Sequence, residues 1–288
     1  MTSVISLAVV GDGAMARTLH DHGAPFGRIR LVGPSDPASA VLIDLPQAAR
    51  PDAVVAALRA GAVVLCPPPV AQTRAALEAM QAAARAGGGR LLPAGEIAHG
   101  AAGRRGFSAI ASADFGALHS FYLAIRQARG LAGDVLDTLL PEALDAVLSV
   151  VPGPFVSVRV NAGALFGPER DSAVILLRSE AGVVVTIELS RCLPPTLPAP
   201  GLGEVEIDAV GAHQAVRIVP QAGAVRIHRD DATAFVPWLD APVLAMLATL
   251  EAAMDAPDAA PDGLARAAAA LARASRIRDA ADQAFVTS

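Results

Sequence analysis

Residues Val4 to Val10 form a short apolar run that ends directly in Gly11-Asp12-Gly13-Ala14-Met15-Ala16, and a helix-like stretch follows to His22. No other feature constrains the fold as strongly. A strand handing over to a helix through a glycine turn is the opening unit of a parallel sheet built from crossovers. The same alternation continues downstream. "RIRLVG" (28–33), "AVLIDLP" (40–46), "AVVLC" (62–66) and "RLLPAG" (90–95) are predicted strands. Helices are predicted over 50–61, where Pro51 sits in a tolerated first turn, and over 71–88, which ends at glycine.

The pattern changes after residue 115. "ALHSFYLAIR" (117–126) reads as a strand, and 134–151 as a helix that Pro141 breaks or kinks. Strand-like runs follow at 155–160, 172–179, 182–189, 205–210, 215–220 and 224–229. Connections as short as "EAG" and "QAG" suit antiparallel hairpins. "CLPPTLPAPGLG" (192–203) is too rich in Pro and Gly to be an element, and Pro242 to Gln283 reads as two helices. The expected class is α/β followed by α+β, with a shortened Rossmann-type domain at 1–115 and an open, mostly antiparallel sheet at 116–288. The last helices, 242–283, are candidates for packing back on the first domain.

Composition narrows the function. A net charge of -5 without a basic stripe argues against a nucleic-acid partner. Hydrophobic residues make up 53% of the chain, but alanine supplies much of this, and every eighteen-residue window is interrupted by charge, proline or polar groups. No membrane span is predicted. The N-terminus starts a strand without a basic n-region, so a cytoplasmic location is expected. Cys66 and Cys192 are too far apart for a metal motif and read as buried small hydrophobes. All 23 basic residues are arginine, so chemistry that requires a lysine has none to use.

In the glycine loop, Gly11 permits the tight turn and Gly13 lets backbone approach a pyrophosphate at the helix N-terminus. Ala14 and Met15 open that helix, and Ala16 keeps it close to the strand. Asp36, 20 residues beyond Ala16, is either an acid for a ribose hydroxyl or the turn residue of "GPSDP". Only "GPSDPAS" joins strands two and three, too short for a crossover helix, which predicts either a reduced adenine-side wall or a different position for strand two. At the end of strand four, "VVLCPPPVAQT" (63–73) puts Pro67, Pro68 and Pro69 on the rim that faces a ligand. His99, with Glu96 beside it, lies past strand five at the carboxyl edge; it is either an acid/base group or a solvent-facing loop residue. Asp137, Glu142 and Asp145 offer an acidic cluster or ordinary capping charges. Arg126 and Arg129 either bind an anionic substrate or tie the linker.

The order of "VVGDGAMA", "AVLIDLPQAARPDAVVAALRAGAVVLCPPPVA", "IASADFGALHSFYLAIRQARG", "GDVLDTLLPEALDAVLSVV" and "VEIDAVGAHQAVRIVPQAGAVRIH" resembles the glucose–fructose oxidoreductase / inositol dehydrogenase / rhizopine-catabolism (Gfo/Idh/MocA) family. The resemblance implies an NAD- or NADP-dependent oxidoreductase for a small polyol, sugar or related compound, with Pro67 and Pro68 on the cofactor side of the rim. It also exposes two departures. The family's Glu-Lys-Pro signature falls on Pro67-Pro68-Pro69, so Pro68 stands in the lysine's place. A second signature, an Asp with a His four residues on, falls on Asp137 and Pro141. His99, Asp137 and Glu142 are therefore the candidates for a replacement acid/base. The alternative is a catalytically silent relative that binds a ligand or a partner. Apolar positions on both faces of the second sheet predict a homodimer or higher homo-oligomer.

Overall fold

A computed structural model describes residues 4–22, 27–151, 153–195, 202–220, 224–229, 233–237, 242–257 and 262–286. The predicted loop at 192–203 and the linker between the last two helices fall partly outside them. The chain divides into two compact units: residues 1–101 with 240–271, and residues 102–239 with 272–288.

In the first unit, β1 (Ile5–Gly11), β2 (Ile29–Val32), β3 (Ala40–Asp44), β4 (Val63–Cys66) and β5 (Arg90–Pro93) form one parallel sheet in the order β2-β1-β3-β4-β5. Near-continuous apolar runs suit strands covered on both faces. One face packs Ile5, Leu7 and Leu42 against Met15 and Leu19 of α1 (Ala14–His22) and Met246 and Leu250 of α8 (Pro242–Asp255). The other packs Ile43, Val64 and Cys66 against α2 (Arg50–Arg59), α3 (Arg74–Gly87) and residues 264–271. Thr73 caps α3 by accepting the Ala76 N–H, and Gly88 ends it in the left-handed region.

The strand order is informative. A doubly wound dinucleotide fold runs 3-2-1-4-5-6. The present order is that one with the outermost third strand and its crossover helix removed. Strand two was correctly placed in sequence, and it is the edge. Gly33–Ser39 then returns across β1 without a helix, and Ser39 donates its N–H to Ser6 O at 3.0 Å to start β3 on the other side.

In the second unit, among the described residues, eight strands form a sheet in the order β13-β12-β11-β10-β6-β9-β8-β7. Their spans are β6 (Leu118–Ala128), β7 (Phe155–Gly163), β8 (Ser172–Ser179), β9 (Val184–Leu193), β10 (Glu204–Gly211), β11 (Ala215–Val219), β12 (Ala224–His228) and β13 (Thr233–Pro237). Only β6 and β9 pair in parallel; the other neighbours are antiparallel. Alternation sets the faces. Phe121, Leu123 and Ile125 are buried with Ile187 and Ile207, while Tyr122, Arg126, Glu188, Glu206 and Asp208 point the other way.

The structure departs from the sequence reading at several points. The first domain ends near residue 101, not 115, because α5 (Ala101–Ile110) packs on the second sheet. Gly106 lies against Ile218, and the Phe107 and Phe121 rings are 6.3 Å apart. Strand β13 carried too weak an alternation to be read. The helix over 134–151 is two, α6 (Val135–Thr138) and α7 (Leu140–Val150), with Pro141 in the first turn of the second. Cys66 is buried as expected, but Cys192 is exposed. No helix among the described residues is long and apolar enough to cross a membrane.

Candidate functional site

The glycine loop turns as its sequence requires. Gly11 sits at φ 111°, a conformation that favours glycine, and Gly13 accepts the first helical bond from Arg17 N–H at 3.0 Å. Met15 and Ala16 are buried against the strands, and Ala14 is exposed. What the loop faces was not expected. Asp44, the last residue of β3 and only 7% exposed, aims its carboxylate at the start of α1. The Ala16 N–H donates to Asp44 Oδ2 at 3.0 Å, and Gly13 N–H donates to the Asp44 backbone oxygen at 3.2 Å. A Cβ built on Gly13 would lie 2.2 Å from Asp44 Oδ1. Gly13 is thus small to admit this carboxylate. A helix N-terminus favours a negative group, and the chain supplies its own.

One strand over, the triple proline forms a rim held from outside. Arg50, at the start of α2, donates through Nε to Leu45 O at 2.7 Å. Its Nη1 reaches the carbonyls of Pro67, Pro68 and Pro69 at 3.1, 3.4 and 3.4 Å. Three prolines supply no N–H to the neighbouring backbone, so their carbonyls concentrate acceptors that one planar, five-donor guanidinium can serve. Pro67 and Pro68 are half-buried parts of this clamp. Beneath it the Cys66 thiol is pushed up to about 12, by burial first, against the opposing pull of Arg50. Burial also raises the carboxyl of Glu96 above its ordinary value, and the charge of Asp44 adds to this. His99 is not a solvent-facing loop residue: it is buried in the one-turn helix α4 (Glu96–His99).

Asp36 behaves as a turn residue, accepting the Gly33 N–H at 2.9 Å. It stands at the mouth of a cleft of about 510 Å³ on the sheet face beside α2, floored by Ala8, Val10, Val41 and Ile43.

In the second unit the predicted acidic cluster does not assemble as expected. The break at Leu139 removes the continuous helical face that would have paired Asp137 with Asp145. Asp137 is exposed and ion-paired with Arg278 at 2.9 Å, whereas Glu142 and Asp145 are buried. Arg126 sits in a cluster of ion pairs on the sheet face. It binds Glu188 at 2.9 Å and Glu206 at 3.5 Å, and Tyr122 donates its hydroxyl to Glu188 at 2.7 Å. Burial and that bond push the Tyr122 phenol up to about 12. Arg129 lies over the Phe166 ring, 5.1 Å from its centroid. Sequence reasoning passed over Arg191, which is buried and donates to Gly133 O and, at 2.8 Å, to Thr138 Oγ1.

A dinucleotide on such a sheet would rest its pyrophosphate at the start of α1. Asp44 already neutralises that end, and two unit charges at contact distance near a protein surface repel by about 4 kcal/mol. Among the described residues, no third strand or crossover of this kind flanks the place of an adenosine. The residues present do not fit the cofactor.

No protein-family model matches the chain, and no curated protein matches its sequence. Solved structures do match its fold. An oxidoreductase from Agrobacterium radiobacter in complex with NAD+, L-tartaric acid and magnesium superposes with a TM-score of 0.79 at 13% identity, covering 97% of each chain. A UDP-N-acetylglucosamine 3-dehydrogenase from Acidithiobacillus ferrooxidans gives 0.77 at 19%, covering 96% of this chain and 97% of that one. A dehydrogenase from Bordetella pertussis in complex with NADH and UDP-GlcNAcA gives 0.70 at 16%, covering 97% of each. The fold is the one that the Gfo/Idh/MocA resemblance implied, over nearly the whole chain.

Proposed function

We propose that this chain is a Gfo/Idh/MocA-type oxidoreductase scaffold that no longer performs nicotinamide chemistry and serves as a binding or partner subunit for a small polyhydroxylated ligand. The observation that carries this reading is the rim of β4. Hydride transfer at a carbonyl or alcohol needs a proton carrier beside the reacting oxygen. Here the rim is three prolines whose carbonyls are locked by Arg50, and no lysine exists in the chain to replace them. The ligand class follows the fold neighbours, whose ligands and substrates are a hydroxy acid and UDP-sugars. The unit of function is a homodimer. Val174, Leu176, Val184 and Val210 are exposed on the second sheet, and a second copy would cover them.

The competing reading is an NAD(P)-dependent oxidoreductase with His99, Asp137 or Glu142 as acid/base. The Gly11 turn and the neighbours solved with NAD+ or NADH favour it. Fluorescence titration with NADH and NADPH to about 1 mM separates the two. We expect no saturable signal, and a rise in melting temperature with a hydroxy acid or sugar instead. Saturable NADH binding with turnover of any such substrate would overturn the proposal. Light scattering at micromolar concentration should give twice the monomer mass.

A further inference from the structure

We propose that Asp44 is a built-in occupant of the anion position at the start of α1, and that it excludes phosphate-bearing nucleotides from the glycine loop. This rests on the reading above and names the residue that enforces it. Three independent features converge on the carboxylate. It is nine-tenths buried, so it is not a surface charge that can swing away. Its Oδ2 takes the Ala16 N–H at 3.0 Å, one of the donors a helix leaves for an anion. Gly13, the position that would let backbone approach a pyrophosphate, has its Cβ space filled within 2.3 Å by Asp44 Oδ1, Cγ and Oδ2. The negative charge is also felt nearby, since it adds to the upward shifts of Glu96 and Cys66. Backbone holds the arrangement in register. Gly11 pairs with Asp44 across β1 and β3, and Gly13 N–H donates to Asp44 O. A side chain that caps the helix from 28 residues away does the work of a bound anion without one.

The test compares the full-length wild type with Asp44→Ala and Asp44→Asn, using inorganic pyrophosphate in calorimetry and NADH in fluorescence. Asp44→Ala opens the space and removes the charge. Asp44→Asn removes the charge and keeps an acceptor for Ala16 N–H, so it guards against a variant that fails to fold. The wild type is expected to bind neither probe, while both folded variants gain pyrophosphate binding by at least about tenfold, Asp44→Ala more than Asp44→Asn. Circular dichroism confirms that each variant is folded. If the wild type binds NADH saturably, both this inference and the silent-subunit reading fall. If neither the wild type nor any folded variant binds pyrophosphate, Asp44 is not the excluding group, and the silent-subunit reading stands without it.

Discussion

Two polar clusters in this molecule show opposite uses of charge. In the first unit, Asp44 and Arg50 each face backbone: the carboxylate takes the Ala16 N–H, and the guanidinium serves carbonyls. In the second, Arg126, Glu188, Glu206, Arg217 and Asp208 face each other across neighbouring strands, at side-chain exposures between 25% and 44%. Asp44 is buried and Arg50 half-buried, and removing either leaves backbone groups without their partner. Half-exposed pairs are screened, and water replaces them at little cost. The first cluster therefore fixes local geometry, and the second covers a sheet face while contributing little stability.

Substitutions test that contrast in order of size. Arg50→Ala should cost about 3 kcal/mol in urea unfolding, because four carbonyls lose one donor group together. Arg50→Lys should recover less than half of that, since a point ammonium cannot serve the fork. Gly13→Ala should cost about 2 kcal/mol by crowding the Asp44 carboxylate, with most of it returned in Gly13→Ala/Asp44→Gly. A double-mutant cycle without coupling would separate the glycine from the acid.

Glu96 gives a pH test. Burial raises its folded-state pKa above the ordinary carboxyl value, so the folded protein holds the proton longer than the unfolded chain. Stability from this group is present below the unfolded pKa and declines as pH rises through the folded one. Glu96→Gln should flatten that decline, and an unchanged pH profile would count against burial as the cause. The smallest effect belongs to the open sheet: Arg126→Ala should cost no more than about 1 kcal/mol, and less in high salt. A loss as large as that of Arg50→Ala would erase the distinction between the clusters.

Much of the architecture was legible because it is periodic. The apolar runs at β1, β3, β4 and β5 and the alternating strands β8 to β12 announce themselves, and the turn glycines mark their ends. The helices at 96–110 were hidden by glycine and arginine inside them, and β13 by its weak pattern. The candidate site was half legible. Gly11, Gly13 and the prolines were visible as motifs, yet their partners, Asp44 and Arg50, are distant in sequence and belong to no motif. One signal was available for Asp44: an acid closing the apolar strand "AVLID" must meet a donor at the sheet's rim. His99 and Glu142 could not be placed, because their burial depends on tertiary packing.

The shortened sheet also changes who guards its flank. Among the described residues no strand lies beyond β2, so it is an open border, the kind of surface along which other chains add themselves. It is four residues long, carries exposed Arg30, and is followed at once by Pro34 and Pro37. Arg28, just before it, is tied to Asp255 at 2.6 Å. Short length, a charge and nearby prolines are what keep a border from recruiting strangers. The strand that forms this border is therefore a poor template for aggregation.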